Sequence, residues 1–204
     1  MIDIIIKNLP ILVVLTPLMM SLIVVLISNN FLSWLLTLFT TLITLIFSLL
    51  LYQEVYLHTA ISYALGNWVP PLGIEYLIDK VSIIPIIIIA LISFLATFFA
   101  SKIMPAEINN SSISKVYSLW LLAIAGLIGL VTTGDAFNLF VFLEISSLAS
   151  VALVAMGGQK DKQALVAAYN YLILGAIGAT FYVIGVGLLY GITGTLNLAD
   201  LSNR

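Results

Sequence analysis

The sequence predicts an all-α integral membrane protein, a single domain over residues 1–204 with about six transmembrane helices. Three observations carry that expectation. The 204-residue chain is 62% hydrophobic and only 8% charged, whereas an average soluble domain carries about 25% charged residues. Its apolar residues fall in unbroken runs of about twenty, the length a helix needs to cross roughly 30 Å of hydrocarbon, and not in the alternating segments of a membrane barrel. The breaks between the runs hold turn-forming residues. A soluble globular domain and intrinsic disorder are both excluded.

The same composition narrows function. A net charge of −2, with seven basic residues scattered singly, offers no patch to nucleic acid. There is no cysteine and one histidine, His58, so disulfides, thiolate sites and histidine metal clusters are excluded. No flavin, haem or iron–sulfur motif is present, so no cofactor is expected in this chain, and it is not expected to be an enzyme on its own.

The first span covers about residues 4–27. It is too long for a signal-peptide core and lacks a clear small-residue cleavage site, so it reads as a permanent helix. Ser28-Asn29-Asn30 turns the chain into the second span, about 31–52. Residues 53–80 form the long connection, expected as an outer loop. Its Gly66-Asn67-Trp68-Val69-Pro70-Pro71-Leu72-Gly73 argues against helix, and Trp68 and Tyr76 fit an interfacial aromatic belt. His58 is expected to be solvated, and Asp79 and Lys80 to pair at a membrane boundary. The third span, about 81–101, has Pro85 near its start, where proline is tolerated.

A polar connection from Lys102 to Lys115 leads to the fourth span, about 116–132. Thr133-Gly134-Asp135 is a short turn whose aspartate is placed to cap the fifth helix, about 136–156. The loop Gly157-Gly158-Gln159-Lys160-Asp161-Lys162 opens the sixth span, about 164–190, which is overlong and should tilt or emerge from the membrane. Six crossings put Lys102, Lys115, Lys160 and Lys162 on one side and Lys7, Lys80 and Arg204 on the other. The positive-inside tendency makes the first group cytoplasmic, and predicts a multi-pass cell-membrane protein with both termini on the extracytoplasmic side.

Glu144 is the most informative residue. It stands about eight residues into the fifth span, roughly 12 Å deep at 1.5 Å per residue. An acid there costs at least about 2.5–3.5 kcal/mol on the insertion scale, so it must be protonated, paired or hydrated. Each outcome suits a proton relay, and helix glue is the alternative. Ser147, at i+3, extends the polar surface. Asn170, about seven residues into the sixth span, can glue helices together or order a water chain. Gly175 and Gly178, with Ala176 and Ala179, would let neighbouring backbones approach closely.

Several segments together carry a family likeness. They are Gly66-Asn67-Trp68 with Pro70-Pro71-Leu72-Gly73-Ile74 leading to Ile78-Asp79-Lys80-Val81-Ser82; Thr133-Gly134-Asp135-Ala136-Phe137-Asn138-Leu139-Phe140-Val141-Phe142-Leu143-Glu144; Ala167-Ala168-Tyr169-Asn170-Tyr171-Leu172-Ile173-Leu174-Gly175; and Gly191-Ile192-Thr193-Gly194-Thr195-Leu196-Asn197-Leu198-Ala199-Asp200. Over almost its whole length the chain resembles the antiporter-like proton-translocating subunits of respiratory complex I, Mrp-type cation/proton antiporters and membrane-bound hydrogenases. Within that family it looks closest to the Mrp-type D subunit and its counterparts in archaeal hydrogenase-like and sulfane reductase complexes.

The resemblance implies that Glu144 belongs to a membrane-embedded proton path. Family members often carry a lysine where this chain has Asn170, and asparagine supplies no charge. The family has about fourteen helices in two inverted repeats with broken helices at their centres. The six helices here match its N-terminal part, and the broken helix with the lysine that partners the glutamate would lie beyond Arg204. The expected partners are therefore other membrane subunits, including one that completes the missing helices, together with the lipid bilayer and protons, or alternatively sodium. The rival expectation is a truncated, non-conducting scaffold subunit of the same kind of complex.

Overall fold

The computed structural model describes residues 6–204. The start of the first span, at Ile4 and Ile5, lies outside the described residues. The elements in chain order are α1 (Leu9–Val24), α2 (Asn30–His58), β1 (Ala60–Ala64), β2 (Glu75–Asp79), α3 (Ile83–Glu107), α4 (Ile113–Thr132), α5 (Ala136–Met156), α6 (Gln163–Thr193) and α7 (Leu198–Leu201). Helices α2 to α6 are long and apolar enough to cross a membrane. With α1, whose 16 residues span about 24 Å, they make the six-helix arrangement expected.

Local chemistry sets the helix boundaries. The Asn29 side chain accepts the Phe31 and Leu32 amides and caps α2. Asp135 accepts the Asn138 amide at 2.7 Å and caps α5. At its far end α6 stops at Gly194, which takes the left-handed conformation (φ 70°) and donates its amide to the Tyr190 carbonyl.

The connection 53–80 differs from the loop expected. Helix α2 continues to His58, which pairs with Glu54 at 3.7 Å one turn away. Then β1 and β2 form an antiparallel hairpin, from Ala60 opposite Asp79 to Ala64 opposite Glu75. The break signals are real, but they occupy the hairpin tip. The flanking five-residue strands are too short to stand out by run length. Two local expectations fail with the loop. Tyr76 is not in an interfacial belt: it is 3% exposed and packs on Phe142 with ring centroids 6.3 Å apart. Asp79 turns to backbone, accepting the amides of Val81 at 3.0 Å and Ser82 at 2.8 Å at the entry to α3. The Ser82 amide is the main cause of a carboxyl held below its usual range.

Helix α4 is the hub, packed against α1, α2, α3 and α5. It buries Leu121, Ile124 and Ile128. Its Gly126 and Gly129 admit α5: a Cβ at Gly126 would lie 2.6 Å from the Ser146 amide nitrogen, and one at Gly129 would lie 2.3 Å from the Phe142 ring.

Helix α2 reverses the soluble pattern. Its buried residues include Ser33, Thr37, Thr41, Thr44 and Ser48, while Phe39, Ile46 and Leu49 are exposed. Small hydroxyl residues permit close helix approach, and the apolar face suits lipid. Trp34 of α2 donates to the Thr97 carbonyl at 2.9 Å, and Trp120 of α4 donates to the Thr97 hydroxyl at 3.0 Å, so α3 is tied to both. Helix α6 packs chiefly on α5 and buries only Ala168, Ala179 and Val186.

Candidate functional site

Three contacts orient α5. Phe142, Ser146 and Ala149 are buried, and the first two lie against the α4 glycines. Ser147 faces α6, where a Cβ at Gly175 would lie 3.0 Å from its hydroxyl. The Tyr182 hydroxyl of α6 donates to the Ala136 carbonyl at 3.1 Å and fixes the same pairing nearer the helix start. At 100° per residue, Glu144 points away from α4 and stands at the edge of the α6 contact. It is half-buried and lies on the same side as the exposed Phe137, Val141 and Leu148. Among the described residues no hydrogen bond or ion pair reaches its carboxyl.

The other candidates separate. Ser147 shares the α5–α6 seam with Gly175. Asn170 is exposed on α6. In the antiparallel alignment set by Ser147 and Gly175, Glu144 falls opposite residues near 178, about 12 Å along the axis from Asn170. The two are not brought together, and no described hydrogen bond gives Asn170 a helix-gluing role. The glycines also divide: Gly175 meets Ser147, but nothing lies within 4 Å of a Cβ at Gly178.

A second polar centre, missed in the sequence, sits where the hairpin, the α4–α5 turn and the segment after α6 meet. Gly134 donates its amide to the Glu75 carbonyl at 2.8 Å, Ala136 donates to Leu196 at 2.8 Å, and Leu198 donates to Gly134 at 2.9 Å. Behind this stitching Glu75 is buried. The Ser62 hydroxyl donates to its Oε1, and Asn197 donates to its Oε2 at 2.7 Å. Burial pushes the Tyr76 phenol up to about 12. Nearby, Asp200 pairs with Arg204 at 3.2 Å, and the Thr195 hydroxyl, followed by Arg204, holds its carboxyl low. The available signal was a short β-prone run, Tyr76-Leu77-Ile78, held between two acids, Glu75 and Asp79. A cleft of about 260 Å³ opens beside this centre, between Pro71 and Leu72 of the hairpin tip, Asp135 and Phe137 of α5, and Tyr190 and Thr195 at the end of α6. At the opposite end of the bundle, Lys160 pairs with Glu107 at 2.8 Å. No group of three or more potential metal-ligating side chains occurs among the described residues.

Comparison with known proteins adds to this geometry. Residues 133–204, which include Glu144 and the cleft residues Asp135, Phe137, Tyr190 and Thr195, match the family described as NADH:quinone oxidoreductase/Mrp antiporter, TM. The chain is 46% identical over 140 residues to the NADH-quinone oxidoreductase subunit N of Desulforudis audaxviator, covering 69% of this chain and 27% of that protein. It is 33% identical over 158 residues to the D subunit of the Na(+)/H(+) antiporter of Alkalihalophilus pseudofirmus, covering 78% of this chain and 31% of that one. In three dimensions it superposes on a chain of the membrane-bound sulfane sulfur reductase, an archaeal respiratory membrane complex. The TM-score is 0.87 at 34% identity, over 95% of this chain and 39% of the other. The chain thus spans about a third of the length of the relatives it matches.

Proposed function

Because the chain belongs to the antiporter-like membrane subunits common to NADH:quinone oxidoreductases and Mrp antiporters, we propose that it forms part of a transmembrane ion path in which Glu144 takes up and releases a proton. One observation carries this reading: an acid roughly 12 Å into α5 is half-buried, lacks a cation among the described residues and borders an uncovered apolar face. A carboxyl cannot face lipid at that depth without cost. Its missing partner or water comes from neighbouring helices that cover Phe137, Val141 and Leu148. Those helices belong to partner subunits or to more of the same polypeptide. Charges moving in them would shift the affinity of Glu144 for its proton.

The driving energy would come from electron transfer in another subunit or from a cation gradient, with the proton as cargo and sodium as the alternative. The lysine-bearing ends Lys102, Lys115, Lys160 and Lys162 face the cytoplasm in this reading. The test is Glu144→Gln in the assembled complex. Transport by membrane vesicles should fall at least about tenfold with assembly intact, and wild-type transport would overturn the reading.

The exposure of Asn170, which is not brought near Glu144, favours a second reading, a scaffold subunit that supplies helix surfaces alone. That reading expects Glu144→Gln to be silent and Gly178→Leu, on the open side of α6, to block assembly.

A further inference from the structure

We infer that the cleft at the hairpin end of α5 and α6 is a mouth of the ion path and takes a hydrated monovalent metal cation at Asp135; this rests on the reading of Glu144 as a path residue. Asp135 is only 6% exposed, yet it is half-engaged. Its Oδ1 accepts the Asn138 amide at 2.7 Å. Its Oδ2 has no hydrogen-bond partner among the described residues, and the residue lines the cleft of about 260 Å³. No described basic side chain pairs with it.

The neighbouring acids are differently placed. Both oxygens of Glu75 are taken by Ser62 and Asn197, and Asp200 is held by Arg204. Of the three acids, Asp135 alone lines the cleft. Such a concave acidic site raises the local concentration of cations. With one carboxylate and no ring of oxygen ligands, the ion keeps most of its water, so binding is weak and discriminates little among lithium, sodium and potassium.

Position links the cleft to the path. Phe137 lines the cleft and lies seven residues before Glu144 on the same side of α5. Asp135 and Glu144 are about 13 Å apart along the helix axis. The mouth therefore stands over the uncovered face that Glu144 borders.

The test uses the assembled complex in proteoliposomes with the hairpin face outward. Asparagine retains an oxygen for the helix cap and removes the charge. Asp135→Asn should raise the half-saturating sodium concentration about fivefold at low ionic strength, leave the maximal rate near wild type, and lose the difference in concentrated choline chloride. Asp135→Glu, which keeps the charge, should stay within about twofold of wild type. An unchanged half-saturation in Asp135→Asn overturns the inference, as does a fall in maximal rate alone or a shifted pH profile with unaltered sodium dependence. If Glu144→Gln stops transport while Asp135→Asn leaves half-saturation untouched, the mouth fails and the path stands. If Glu144→Gln is silent while Asp135→Asn weakens sodium dependence, the path residue fails and the cation site stands.

Discussion

Helices α4 and α6 are both apolar, yet α4 buries 12 of its 20 residues within the chain and α6 only 3 of its 31. Helix α4 carries two glycines and α6 five, and hydropathy alone does not say which helix is wrapped by protein. The difference lies in what faces the glycines. Gly126 and Gly129 meet Ser146 and Phe142 of α5, whereas Gly178, Gly185 and Gly187 meet nothing within 4 Å. In a bilayer both settings are stable, because lipid tails are as apolar as leucine and helix association depends on close packing. Glycine in such a helix is therefore informative only together with its neighbour.

The comparison breaks most sharply at Gly129. A side chain there collides with the Phe142 ring, so Gly129→Leu should cost about 3 kcal/mol or more and show as a large loss of folded protein in a detergent denaturation series. Normal folding of that variant would remove α4 as the hub. A smaller effect is expected at the polar centre that joins α4 to α5 and to the end of α6. Asn197→Ala leaves Glu75 Oε2 without its donor, for about 1–3 kcal/mol, and should expose the turn at Gly134 to proteolysis.

Tyr76 sharpens the same region without a mutation. Its folded pKa of about 12 exceeds the ordinary 10.0. The contribution to stability is fully present below pH 10 and is lost as the pH rises through about 12. In an ultraviolet titration read as the difference from Tyr76→Phe, this phenol should ionise late, and its ionisation near 10 would mean that the hairpin is open. The smallest effect on the chain itself belongs to Gly178→Leu, within about 0.5 kcal/mol in the same denaturation series. Any loss there should appear as failed assembly with neighbours.

Much of this fold was legible from run length. The crossings, the capping role of Asp135 and the overlong last helix all follow from apolar runs interrupted by Asn, Gly and Asp, because a helix must satisfy its own backbone in hydrocarbon. The hairpin was not, since Pro70-Pro71 dominates its segment and the pairing of Ala60–Ala64 with Glu75–Asp79 is long-range. At the candidate site the depth of Glu144 could be counted along the helix. Its rotation away from α4 could not, because α5 has apolar residues all round and no stripe to mark an inner face. The exposure of Asn170 and the emptiness around Gly178 depend on which helices are neighbours, which no local pattern encodes.

The hydroxyl row on α2 bears on where a proton can move. Thr37, Thr41 and Thr44 each hand their single proton to a carbonyl of the same helix, and Ser48 does likewise to Leu45. A relay needs donors that can swing from one oxygen to the next, and here they are tethered. The buried face of α2 is thus rich in hydroxyls whose protons stay within their own helix.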